Sequence, residues 1–157
     1  SIATLKSGGD DFFCTACGYR VVYDEYGFFT GEKVIYDTVL AWDKWQRQYI
    51  RDSAPRFSAC TDEPITDDDA QLLYKIGERR GEPMPGALYA FGDRLEYRAE
   101  SAHHVWPYAS ISGMAVTYKS HLFLNTSEGY FEVKSDHPRS ALKFMALWRA
   151  MTGREYL

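Results

Sequence analysis

The chain has 157 residues, 45% of them hydrophobic and 16% aromatic, and a formal net charge of −4. That is core-forming composition for one ordinary domain or two small ones, and it excludes a disordered chain. The acidic balance disfavours nucleic acid as the main partner, and no apolar run reaches the ~20 residues of a transmembrane segment.

Charge is uneven along the chain. Residues 1–70 carry 7 Lys+Arg against 13 Asp+Glu, whereas residues 71–157 carry 11 against 9. The second part is therefore the better match for an anionic partner. Three cysteines are too few for a secreted disulfide framework, so a reducing cytoplasm is expected. Residues 1–9 have neither the basic start nor the apolar stretch of a signal peptide, and the chain opens on Ser1. A segment cut from a longer protein is expected.

In chain order, residues 2–5 and Asp11 to Cys14 read as a hairpin across Ser7-Gly8-Gly9-Asp10. Cys14-Thr15-Ala16-Cys17-Gly18 follows. This spacing aims two thiolates at one ion, and the glycine allows the tight bend beneath them. A closed zinc site needs two more ligands, but Cys60 is the only other cysteine and no His-x3-5-His pair exists. Three readings stand: a metal knuckle completed from outside the chain or by bound solvent or a second copy, a remnant with two reduced thiols, or a redox dithiol. Tyr19 to Tyr23 and Phe28-Phe29 continue as strands, with Asp24-Glu25-Tyr26-Gly27 as their turn. Tyr23, Tyr26, Phe28 and Phe29 are candidates for an exposed docking patch.

A helix is expected from an Asp37 N-cap to about Arg51, presenting Val39, Trp42, Trp45 or Gln46, and Tyr49 at helical spacing. Residues 52–70 read as a connection, with Asp67-Asp68-Asp69 as a solvated run. Strands follow at residues 72–76, 87–91, 95–98, 105–108, 114–118, 121–125 and 130–134, the fourth an edge strand because Pro107 cannot donate to a ladder. Asp136 or His137 then caps a final helix, with Pro138 in its first turn. Its apolar face is Ala141, Phe144, Met145, Trp148 and Met151, and Gly153 stops it.

The expected class is α+β, mostly β. Residues 1–52 form a zinc-ribbon-like ribbon plus a Trp-rich helix, residues 53–70 an acidic connection, and residues 71–157 a second domain. The order of strands and terminal helix in residues 72–157 resembles pleckstrin-homology-like and GRAM-like bacterial domains, which implies an antiparallel barrel capped by its C-terminal helix. A more specific resemblance rests on Phe12-Phe13-Cys14-Thr15-Ala16-Cys17-Gly18-Tyr19, Tyr23-Asp24-Glu25-Tyr26-Gly27-Phe28-Phe29 and the stretch from Tyr36 to Gln46 with its Trp42-Asp43-Lys44-Trp45-Gln46. Residues 10–50 are similar to the C-terminal extension of some bacterial 1-acyl-sn-glycerol-3-phosphate acyltransferase-like proteins.

That resemblance implies an accessory tail in phospholipid synthesis, cytoplasmic and peripheral to the inner face of the membrane. Its partners would be its own catalytic domain, another protein or the membrane surface. No catalytic residue carries over. The family's His-x4-Asp needs an acid five places after a histidine, but Tyr108, Ala109, Thr126 and Leu142 stand there. The rival reading is a free-standing interaction module with structural zinc on Cys14 and Cys17. Lys75, Arg79 and Arg80 are candidate contacts for an anionic lipid headgroup, against a solvated loop. His103 and His104 point to opposite faces of a strand and cannot share an ion, so they read as surface or cap residues.

Overall fold

Residues 5–75, 82–136 and 141–154 are described in the computed structural model of the chain. Two compact units divide between Arg51 and Asp52.

The first unit is a four-stranded antiparallel sheet in sequential order: β1 (Leu5–Gly8), β2 (Asp11–Cys14), β3 (Arg20–Tyr23) and β4 (Phe29–Thr30). Asp24 makes the β3–β4 turn, because its carboxylate accepts the backbone N–H groups of Tyr26 (3.0 Å) and Phe28 (2.8 Å). Gly27 follows at φ 89°, a conformation that strongly favours glycine. Helix α1 (Val39–Asp52) then lays Trp42 on the sheet. Its cap is Thr38 rather than Asp37: the Thr38 hydroxyl accepts the Ala41 N–H (3.1 Å) and its carbonyl the Trp42 N–H. Val21, Phe29 and Trp42 form the buried core, with Phe12, Tyr19 and Tyr36 packed round them. The Trp42 ring meets those of Phe12, Tyr19 and Phe29 edge-on at 5.5–5.7 Å, the geometry aromatic quadrupoles favour.

The second unit opens with a short helix, α2 (Ala54–Ser58), inside the stretch expected to be a plain connection. Strand β5 (Thr66–Lys75) starts six residues earlier than expected and takes in the acidic run. The reason is alternation. Thr66, Asp68, Ala70 and Leu72 point inward and are buried, while Asp67 and Asp69 point out. The reading of the run as a solvated loop is thus corrected at Asp68. The remaining strands are β6 (Met84–Ala90), β7 (Arg94–Ala99), β8 (His103–Pro107), β9 (Ile111–Thr117), β10 (His121–Thr126) and β11 (Gly129–Ser135).

All seven strands of this sheet pair antiparallel in the order β8-β7-β6-β5-β11-β10-β9. The strands β8 and β9 are both edges, so the sheet stays open among the described residues and the expected closed barrel is corrected. Helix α3 (Leu142–Thr152) contributes buried Phe144, Leu147 and Trp148 to the unit's core. It begins after Ala141, so Asp136 does not cap it; the Asp136 N–H instead donates to the Asp69 carbonyl. His137 and Pro138 lie outside the described residues.

Candidate functional site

In the first unit, the cysteine pair sits at the β2–β3 turn. The Gly18 N–H donates to the Cys14 carbonyl (3.0 Å), and the Cys14 N–H to the Tyr19 carbonyl (2.8 Å). Gly18 has φ 73°, which lets the chain reverse beneath the two sulfurs. Cys14 is half-buried and residues 15–18 are exposed. Strands flank the pair on both sides, so no helix N-terminus is present to stabilise a redox-active thiolate. No group of three or more His, Cys, Asp or Glu gathers into a metal cluster among the described residues. Cys60 belongs to the second unit, where its Sγ lies 3.6 Å from the Arg56 carbonyl.

The same unit leaves much large apolar surface uncovered. Tyr26 is 78% exposed and Leu40 62%, and Tyr23, Phe28, Ile35, Val39, Trp45 and Tyr49 are exposed as well. Phe29, grouped with the candidate patch by sequence, is instead core. A groove of about 550 Å³ runs between Phe12 and Phe29 of the sheet and Val39, Leu40, Trp42 and Gln46 of α1. Asp43 and Arg47, which also line it, form an ion pair at 2.7 Å. Beside it, Tyr36, Trp45 and Tyr49 stand in a ladder with rings 5.4 and 5.6 Å apart. The groove offers apolar walls with a few polar groups, which suits an apolar side chain carried on a polar backbone.

Among the described residues of the second unit, two buried carboxylates each anchor a polar knot. Glu96, only 4% exposed, accepts hydrogen bonds from Arg94 Nε (2.6 Å) and from Arg98 Nε and Nη2 (2.8 and 2.6 Å), and His103 Nε2 lies 3.1 Å away. Burial alone would raise its carboxyl pKa, but the bonds from Arg94, Arg98 and His103 outweigh that and hold it at about 2. The Arg94 guanidinium lies 4.1 Å from the Phe91 ring centroid and that of Arg98 4.7 Å from Tyr89. The second knot holds Asp68, which accepts from Ser135 Oγ (2.8 Å) and pairs with Lys143 Nζ (3.4 Å).

The histidines divide as their strand positions predict. His103 faces Glu96, while His104 stacks on Trp106 (5.6 Å between rings) and meets Phe131. Lys75 ends β5, and Arg79 and Arg80 lie outside the described residues.

Sequence reasoning missed the groove, because Leu40 and Val39 look like ordinary helix-face residues until Trp42 is seen to take the core. It also missed the Glu96 knot. A signal was present there, since Arg94, Glu96 and Arg98 alternate on one face of a strand.

No family model matches the chain, and no curated protein matches it. Among solved structures, the C-terminal domain of an unknown protein from Leishmania infantum is similar over 68% of this chain and 98% of that chain. The identity is 13% and the TM-score 0.43, a level that carries no argument about function.

Proposed function

We propose that this chain is a non-catalytic docking or binding module whose contact surface is the aromatic groove of the first unit. The observation that carries the reading is the imbalance of that unit. It buries Val21, Phe29 and Trp42 while leaving Tyr26, Phe28, Ile35, Leu40, Trp45 and Tyr49 in water. Apolar surface of this density beside a groove is the mark of an interaction site rather than of ordinary surface. Among the described residues of the second unit, buried Glu96 pairs with Arg94 and Arg98 of its own strand, and buried Asp68 of β5 pairs with Lys143 of α3.

The partner we propose is the catalytic domain of a phospholipid-synthesis acyltransferase-like parent, with this chain as its accessory tail. The cysteine-knuckle, Asp24-Glu25-Tyr26-Gly27 and Trp42-to-Gln46 residues support that parentage. We read the second unit as pleckstrin-homology-like, on its strand order and C-terminal helix. In that setting Lys75, Arg79 and Arg80 would meet a lipid phosphate.

The test is direct. The upstream part of the reading frame is expected to carry His-x4-Asp. The domain encoded there, mixed with this chain, is expected to bind with micromolar affinity by calorimetry. Leu40→Glu should weaken that by roughly tenfold or more, since burying one aliphatic side chain is worth about 1.5–3 kcal/mol. Equal binding by the Leu40→Glu protein would reject the groove as the contact surface. Sedimentation with phosphatidylserine vesicles at low salt tests the membrane contact; equal binding to neutral vesicles would reject it.

The second reading is a free-standing interaction module with structural zinc. The bend at Gly18 beneath Cys14 and Cys17 favours it.

A further inference from the structure

We propose that the edge of β9 takes an extended segment of a partner protein as a further strand of the sheet, a segment apolar at alternate central positions and acidic at its ends. The inference rests on the second unit alone, so it holds or fails independently of the groove and of the lipid contact.

The two edges of the seven-stranded sheet are built differently. An edge strand carries backbone N–H and C=O groups without ladder partners, and proteins blunt such edges with proline, charge or short length. Strand β8 is blunted. It has five residues, it ends on Pro107, and its His103 lies against Glu96. Strand β9 is not. Its seven residues, Ile-Ser-Gly-Met-Ala-Val-Thr, include no proline and no charge. Its register with β10 is unbroken from Gly113 to Thr117. Alternate residues of that stretch therefore turn their N–H and C=O groups away from β10.

The side chains along the edge define the occupant. Met114 and Val116 stand opposite Leu124 and Leu122 of β10, which are buried, yet are themselves only half-buried. A neighbouring strand with apolar residues facing them would finish that layer. Cations bracket this apolar middle. Exposed Arg154 reaches one end, where its Nη1 donates to the Ser112 carbonyl (2.9 Å). Lys119 is exposed just past the other end, beside Tyr118, which is 90% exposed.

Tyr118 and Lys119 hold left-handed backbone, φ 49° and 63°, although neither is glycine. The Ala141 N–H fixes the turn by donating to the Lys119 carbonyl (2.6 Å). Strain of this kind persists where the surroundings hold it, and it concentrates at binding segments. From Ser112 to Thr117 the edge spans roughly 17 Å, the length of a strand of about six residues. Carboxylates at the two ends of such a segment would meet Lys119 and Arg154, while main-chain hydrogen bonds join its middle to β9.

The probe is a synthetic peptide, acetyl-Glu-Glu-Val-Thr-Val-Thr-Val-Glu-Glu-amide, added to the isotope-labelled full chain and followed by NMR. At about 1 mM peptide, the amide signals of residues 113–117 are expected to shift and to exchange more slowly with solvent, while those of β8 stay in place. N-methylation of the peptide's valines or of its threonines separates pairing from mere stickiness. One of the two patterns should abolish binding and the other spare it, because alternate amides face β9. A peptide with Lys at its ends in place of Glu should bind roughly tenfold more weakly. Lys119→Glu replaces an exposed side chain; it should weaken the Glu-ended peptide about fivefold and strengthen the Lys-ended one, a gain that a damaged fold would not give. Unmoved β9 amides, shifts at β8 instead, equal effects of the two methylation patterns, equal binding of the two peptides, or pairing of β9 with a second copy of the chain in place of the peptide would each overturn the proposal.

Discussion

Glu96 is nearly closed off from water, and it stays ionised because Arg94, Arg98 and His103 converge on it from two neighbouring strands. Its folded pKa of about 2 lies below the ordinary 4.5. The stability it contributes is therefore full above pH 4.5 and is lost as pH falls through 2. Allowing for the partial exposure of both arginines, this is worth on the order of 2 kcal/mol. Glu96→Gln should lower the urea midpoint at pH 7, and the gap from the parent chain should shrink between pH 4.5 and 2. A gap that is constant with pH would show that the ion pairs are not its source. Gly92 is constrained for a different reason. A Cβ there would collide with the backbone carbonyl oxygens of Phe57 and Ser58, and backbone cannot step aside as a side chain can. Gly92→Ala should cost about 2 kcal/mol or more by denaturant unfolding. Neither constraint was legible in residue order alone. Arg94, Glu96 and Arg98 alternate visibly, but His103 reaches Glu96 only through the β7–β8 register, and Gly92 meets residues about 35 positions earlier in the chain.

At the scale of elements, periodicity carried the reading well where side-chain types were distinct. The helix around Trp42 and the final helix both declare themselves through large apolar residues at helical spacing. So do the strands from residue 84 to residue 135, in alternation and turn residues. The misreadings share a cause. Three consecutive aspartates look solvated, yet in β5 alternation buries the middle one, where Ser135 and Lys143 receive it. Ala54-Pro55 looked like a linker, but proline suits a first helical turn, and α2 forms there. At α1, Thr38 accepts the amide bond that Asp37 was expected to accept, one residue later in the chain. Thr38→Ala should therefore destabilise the first unit by about 1 kcal/mol, while Asp37→Ala should cost less. Helicity and thermal midpoints of the two variants check the assignment; equal losses would return the cap to Asp37.

At the scale of the molecule, the open sheet of the second unit is sewn together by its two most distant strands. β5 pairs with β11, joining Ala70 to Ser135 and Lys75 to Phe131 across roughly sixty residues of chain. At a synthesis rate of ~5–20 residues per second, β5 would leave the ribosome roughly 3–12 s before its partner exists. The four strands of the first unit, by contrast, are hairpin neighbours with no such wait. A nascent chain thus carries a finished N-terminal piece ahead of an unfinished sheet with an apolar face and a bare strand edge. A frameshift or stop codon anywhere before β11 leaves that edge permanently unpaired, and sticky. A stop codon placed between β5 and β11 should yield insoluble protein rather than a shorter working one, which the partition between pellet and supernatant after expression checks.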